Sequence, residues 1–167
     1  MITENLKEMI QPLDTGRWTR LLTTKYKGKT LPQVIFHDPD YFFWGYEHEV
    51  FTGVLKGEAE DIYYKARHIK VPQRKKERLV VKYYIHRPTA KFETIELIPA
   101  SSVVCHGQDF TMDVIDLSVP RQISTYDKCG SKNMILKTKT IVFKNPAYKM
   151  TKKRCEEFFD DVSHFVM

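Results

Sequence analysis

The chain has 167 residues, 42% of them hydrophobic and 13% aromatic, enough apolar material for one domain with a packed core and too much for a disordered protein. Its longest apolar runs, such as Leu79-Val80-Val81, fall far short of the ~20 residues a membrane span needs, and a start carrying Glu4, Lys7 and Glu8 does not read as a signal peptide; no membrane partner is expected, and a cytoplasmic location is. The formal net charge is +6, a balance that bears on partners rather than fold and suits an anionic one.

In chain order, Thr3 to Met9 reads as a short helix. Thr30 can cap a helix running through Phe36, with Pro32 tolerated in the first turn. Asp38-Pro39 restarts a helix, since Asp caps well and Pro suits the first helical position. After Gly53 and Gly57, the residues Ala59, Ile62, Tyr63, Ala66 and Ile69 repeat at helical spacing, with Glu58, Glu60 and Asp61 at the start and Lys65, Arg67, His68 and Lys70 at the end. Leu79–His86 and Phe92–Ile98 read as a β-hairpin. Phe110 to Val119 alternates but changes phase, which predicts a strand with a bulge near Val114. Ile135 to Phe143 reads as a fourth strand with Lys137 and Lys139 on one face. Thr151 caps a final helix whose stripe is Cys155, Phe158, Phe159, Val162, Phe165 and Val166. The expected architecture is one α+β domain: a helical module over residues 1–70, then a mostly antiparallel four-stranded sheet with the C-terminal amphipathic helix packed on it.

One segment goes beyond pattern. Lys25-Tyr26-Lys27-Gly28-Lys29-Thr30-Leu31, Val34-Ile35, Asp38-Pro39-Asp40-Tyr41 and Trp44 resemble, in order and spacing, the small C-terminal module of exodeoxyribonuclease X-type proteins, also found in phage and prophage proteins of DNA metabolism. The resemblance covers residues 23–45 and departs from the family where Thr23-Thr24 replaces a Phe-Gly pair. It implies a phage-type accessory module that touches nucleic acid and carries no nuclease domain. Read from the residues alone, Val34, Tyr41 and Trp44 would form a small core, and Lys25, Lys27 and Lys29 would point one way if the stretch were extended. Such a row suits a phosphate backbone, and equally reads as a solvated face.

Catalytic signatures are missing. No acid is followed two residues later by lysine, and there is no phosphate-binding loop, GxGxxG or GxSxG. Cys105, Cys129 and Cys155 are odd in number and widely spaced, which suits a reducing compartment. With no CxxC or HxxxH pair, neither a metal nor another cofactor is expected. Binding candidates are better. Arg74, Lys75, Lys76, Arg78 and Lys82 form a basic run near the rings of Tyr63, Tyr64, Tyr83 and Tyr84, and cations interleaved with aromatics suit nucleic acid. Lys152, Lys153 and Arg154 crowd the start of the last helix, where free amides would favour an anion. The expected function is a non-catalytic accessory protein that binds DNA, a nucleic-acid-processing enzyme, or both. The alternative is an effector that docks on a host enzyme, such as RNA polymerase or a defence nuclease.

Overall fold

The computed structural model describes residues 17–167, so the helix expected over Thr3–Met9 lies outside the described residues. The fold is α+β. Among the described residues three helices come first: α1 (Leu31–His37), α2 (Pro39–Glu47) and α3 (Val54–Ala66). Then follow β1 (Ile69–Lys70), β2 (Leu79–His86), β3 (Lys91–Pro99), β4 (Phe110–Met112) and β5 (Val114–Ile115), and after them α4 (Val119–Ile123), α5 (Lys128–Phe143) and α6 (Lys152–Asp160). The strands form two antiparallel sheets, one of β1 and β5 and one in the order β3-β2-β4.

The helix starts follow from local chemistry. Gln33 reaches back to accept from the Thr30 backbone N–H at 3.0 Å, and Asp38 caps α2 by accepting from the Tyr41 amide at 3.1 Å. Helix α3 begins at Val54, four residues before the acidic run that was expected to open it. Gly53, at φ 63°, turns the chain directly into the helix, a conformation that costs a residue without Cβ little. Lys65 does not close α3 as a solvated cation. It is 4% exposed and donates to Asp61 at 3.0 Å and to the Phe159 carbonyl at 2.9 Å, tying α3 to the end of α6.

The β2–β3 hairpin forms as expected, but its irregularity lies between Tyr84 and Ile85. The phase change near Val114 is no bulge. At Asp113 the chain leaves the three-stranded sheet, where Met112 pairs with Val81, and enters the two-stranded one, where Ile115 pairs with Ile69. Tyr83 secures the exchange: its hydroxyl donates to the Val114 carbonyl at 3.0 Å and accepts from the Asp116 amide at 2.8 Å. Its ring stacks on Phe110 at 4.8 Å, and burial pushes its phenol well above the ordinary range.

The strand expected over Ile135 to Phe143 is not a strand. Residues 135–143 belong to helix α5, whose buried positions Ser131, Met134, Ile135, Thr138 and Ile141 recur at helical spacing. Asp127 caps it through the Gly130 amide at 2.9 Å. The β-branched threonines that suggested a strand return their hydroxyls to carbonyls one turn back, Thr138 to Met134 at 2.8 Å and Thr140 to Leu136 at 2.9 Å. Helix α5 covers β3, and Asn133 donates to the Glu93 carbonyl at 2.6 Å. The C-terminal helix therefore does not occupy the sheet. Helix α6 packs on α1, with Phe36 edge-on to Phe158 at 5.3 Å. It ends at Asp160, so Val162 is exposed, while Phe165 turns back to bridge Ile69.

Apart from Val80 and Ile85 on β2, the buried apolar side chains from Trp18 to Phe165 form one cluster. Across it runs a charged clamp. Arg121 of α4, 6% exposed, donates to Asp40 at 3.2 Å and to both carboxylate oxygens of Glu47 at 3.0 Å, fastening α4 to α2. Burial works against its guanidinium, and the two acids outweigh it to hold the charge. Removing one partner leaves the other charge buried and uncompensated. Arg121→Ala is expected to cost about 3 kcal/mol in urea unfolding, and loss below about 1 kcal/mol would show the clamp to be dispensable.

Candidate functional site

The three groups of cations expected from the sequence are not brought together. Arg74 pairs with Glu77 at 3.3 Å and Arg78 with Asp113 at 2.6 Å, which leaves Lys75 and Lys76 exposed between them. Lys82 is buried. It donates to the Val104 carbonyl at 2.6 Å and lies 4.6 Å from the Tyr84 ring centroid, so it does not continue the basic run. Tyr83 is in the core, and Tyr84 donates to Glu96 at 2.6 Å, a bond that raises its phenol to about 12. Tyr63 stacks on Tyr46 and Tyr64 on His68, so these tyrosines offer no shared surface. At the start of α6, Lys152 reaches Glu156 at 3.1 Å, Lys153 stands 3.8 Å from Glu157, and Arg154 donates to the Lys149 carbonyl at 2.8 Å. Thr151 already caps the Arg154 amide. Nothing there is held ready for an anion.

The segment at Lys25–Lys29 is different. It is not extended. The Leu21 amide donates to the Lys29 carbonyl at 2.8 Å and its carbonyl accepts from the Gly28 amide at 2.8 Å, and turns at Lys27 and Lys29 fold the chain into a loop closed by an Arg20–Thr30 bridge. The loop is fixed onto the α1–α2 junction by Asp38, which accepts from the Tyr26 hydroxyl at 2.5 Å and from Lys25 at 3.1 Å. Burial, then the bond to Asp38, pushes the Tyr26 phenol up to about 12. Burial also opposes the Asp38 charge, but the Tyr26 hydroxyl, the Tyr41 amide and Lys25 outweigh it and hold the carboxyl below the usual range.

Around this carboxylate the rings form a ladder on the outer surface. Tyr26 meets Tyr41 edge-on at 5.1 Å, Tyr41 lies 5.8 Å from Trp44, and Trp44 stacks on His48 at 4.9 Å. Lys25 sits 5.1 Å and 5.0 Å from the Tyr26 and Tyr41 centroids. Of the small core expected from Val34, Tyr41 and Trp44, Tyr41 is half-buried and packs against the cluster that holds Val34. Trp44 does not join it: Val34 is 1% exposed while Trp44 is 39% exposed, on the side of α2 away from the buried Phe42 and Phe43.

Helix α5 adds cations that reading residues 135–143 as a strand concealed. Lys128, Lys132 and Lys139 stand at i, i+4 and i+11, within about 40° of one another around the helix and about 16 Å end to end; Lys137 lies on the opposite side. The near end of this stripe meets the ladder loop: Tyr126, then Asp38, raises the pKa of Lys128, whose ammonium lies 5.8 Å from the exposed Tyr126 ring. The far end meets it again at His37, whose pKa burial and then the charges of Lys29 and Lys139 lower. The signal available in the sequence was the helical repeat of Lys128, Lys132 and Lys139, masked by the local alternation of Lys137 and Lys139. Among the described residues, no group of three His, Cys, Asp or Glu side chains is placed to hold a metal ion, and no helix is long and apolar enough to cross a membrane.

No family model, curated protein or solved structure matches the chain.

Two substitutions test this construction. Asp38 is ionised more easily folded than unfolded, so its contribution is complete above about pH 4 and is lost as pH falls through the lowered folded value. Asn keeps the helix cap. The stability gap between wild type and Asp38→Asn, followed by chemical denaturation, is therefore expected to be widest near neutral pH and to close below about pH 4; a pH-independent gap would show that the charge is not what matters. Thr24 holds φ 78°, a left-handed conformation that is strained for a β-branched residue. Thr24→Gly is expected to stabilise by about 1 kcal/mol, and a destabilised variant would contradict the strain.

Proposed function

We propose that this protein is a non-catalytic accessory protein that binds nucleic acid through the face built by the Lys25–Lys29 loop, α2 and the lysine stripe of α5. The observation that carries this reading is that Lys29, Lys128 and Lys139, from segments far apart in the chain, meet around the α1–α2 junction that bears the aromatic ladder, with Lys27 in the same loop and Lys132 on the same helix stripe. Asp38, the acid at the loop, is mostly buried and turned toward Lys25 and Tyr26, while the exposed Glu47, paired with Arg121, and Glu49 lie at the His48 end of the ladder, so the cationic side is that of the lysines. Phosphates would lie along the stripe, and affinity would be largely electrostatic.

The resemblance of residues 23–45 to the exodeoxyribonuclease X-type module supports the same face, since its Lys-Tyr-Lys-Gly-Lys-Thr run and its Tyr41 and Trp44 supply the loop and the ladder. Thr24 occupies the position where that family carries glycine, and it adopts the positive φ that glycine favours. The turn thus keeps a glycine's conformation without the glycine.

Binding to labelled DNA is expected to weaken steeply between about 50 and 200 mM salt. Charge reversal of Lys27, Lys29, Lys132 and Lys139 should weaken it further and reduce the salt slope by roughly 0.7 to 0.9 per lost phosphate contact. No binding at the lowest salt would discard this reading. The cations would then have to serve an acidic protein surface, such as that of a host RNA polymerase or a defence nuclease, to be sought by affinity capture.

A further inference from the structure

We propose, resting on the nucleic-acid reading above, that the preferred substrate is single-stranded, with unpaired bases stacking on the ladder of Tyr26, Tyr41, Trp44 and His48. The ladder distinguishes the two forms because a ring can stack only on a base whose face is free. In a duplex those faces are covered by neighbouring base pairs, and only the phosphates would reach the protein. Base–aromatic stacking is worth roughly 1–3 kcal/mol per base and tolerates any sequence, because every base has a π-face.

Three observations favour this use of the rings over a purely structural one. The chain has two tryptophans. Trp18 is 3% exposed, and its indole donates to Asp160 at 3.0 Å; Trp44 is 39% exposed, and its indole N–H has no hydrogen-bond partner among the described residues. The rings are also held still: Asp38 fixes Tyr26 by its hydroxyl, and His48 Nδ1 donates to the Trp44 carbonyl at 2.8 Å. A pre-set platform loses less freedom when a base arrives. Finally, Lys25 is spent within the platform, over both tyrosine rings and against Asp38. That leaves Lys27 and Lys29 at one side of the ladder to follow a backbone. Beyond His48 the chain turns acidic at Glu49, so the phosphates of a stacked strand would leave toward the lysine side.

The test uses the full chain with a labelled oligothymidylate and a blunt duplex of equal length, each longer than a site of about 16 nucleotides, at one salt concentration. Anisotropy gives affinity, and intrinsic tryptophan emission reports mainly on the exposed Trp44. The strand is expected to bind about tenfold more tightly than the duplex and to quench the emission. Trp44→Ala should weaken strand binding by about tenfold and leave duplex binding nearly unchanged, while Trp44→Phe, which keeps a ring, should retain most of the affinity and so separates stacking from damage to the fold. Duplex binding as tight as strand binding, strand binding without quenching, or an alanine variant weakened equally for both would overturn the single-strand inference and leave the broader reading standing. Binding to neither DNA would remove both.

Discussion

A single carboxylate holds the candidate face together. Asp38 ends α1 and caps α2, so its backbone is fixed by two helices before its side chain makes any contact. One oxygen is taken by the Tyr41 amide, and the other accepts from Tyr26 and Lys25, which pins the lysine loop against the helix pair. The loop's shape, the tilt of the first two rings and the seat of Lys25 all follow from that one group. Because Asp38 is mostly buried, its charge is neutralised from inside and does not oppose an anion arriving from outside.

The other buried charges follow the same logic in the scaffold. Arg121 joins α4 to Asp40 and Glu47 of α2. Lys65 joins α3 to the last turn of α6. Both withdraw a cation from the surface of a basic protein, and Lys82 does so a third time under the Val104 carbonyl. Net charge alone therefore overstates the cations available to a partner.

How far the sequence could be read depended on whether the deciding contact was local. The caps at Thr30, Asp38 and Thr151, and the β2–β3 hairpin, depend on neighbours within a few residues and were legible. Helix α5 was not, because Thr138, Thr140, Ile141 and Val142 favour a strand locally, and the alternation of Lys137 with Lys139 hid the stronger repeat through Met134, Ile135 and Thr138. The passage from one sheet to the other at Asp113 produces the same change of phase as a bulge would. The docking of α6 on α1 is a tertiary choice: the stripe of Cys155, Phe158 and Phe159 fits a helix partner as well as a sheet. Of the candidate site, Lys25, Lys27 and Lys29 were found through the resemblance. Trp44 was named but assigned to a core, since nothing local says that α2 buries Phe42 and Phe43 and turns its other side outward.

The packing of Phe36 against Phe158 and Phe159 joins residues more than a hundred positions apart in the chain. Contacts of that span are costly to close and form late in folding. As the chain leaves the ribosome, α1 emerges early but keeps the side of Phe36 uncovered until α6 has been made. The face proposed to meet nucleic acid is thus encoded near the start of the chain and finished from its far end, so a partner that requires the rigid ladder would not be engaged by a nascent or prematurely ended chain.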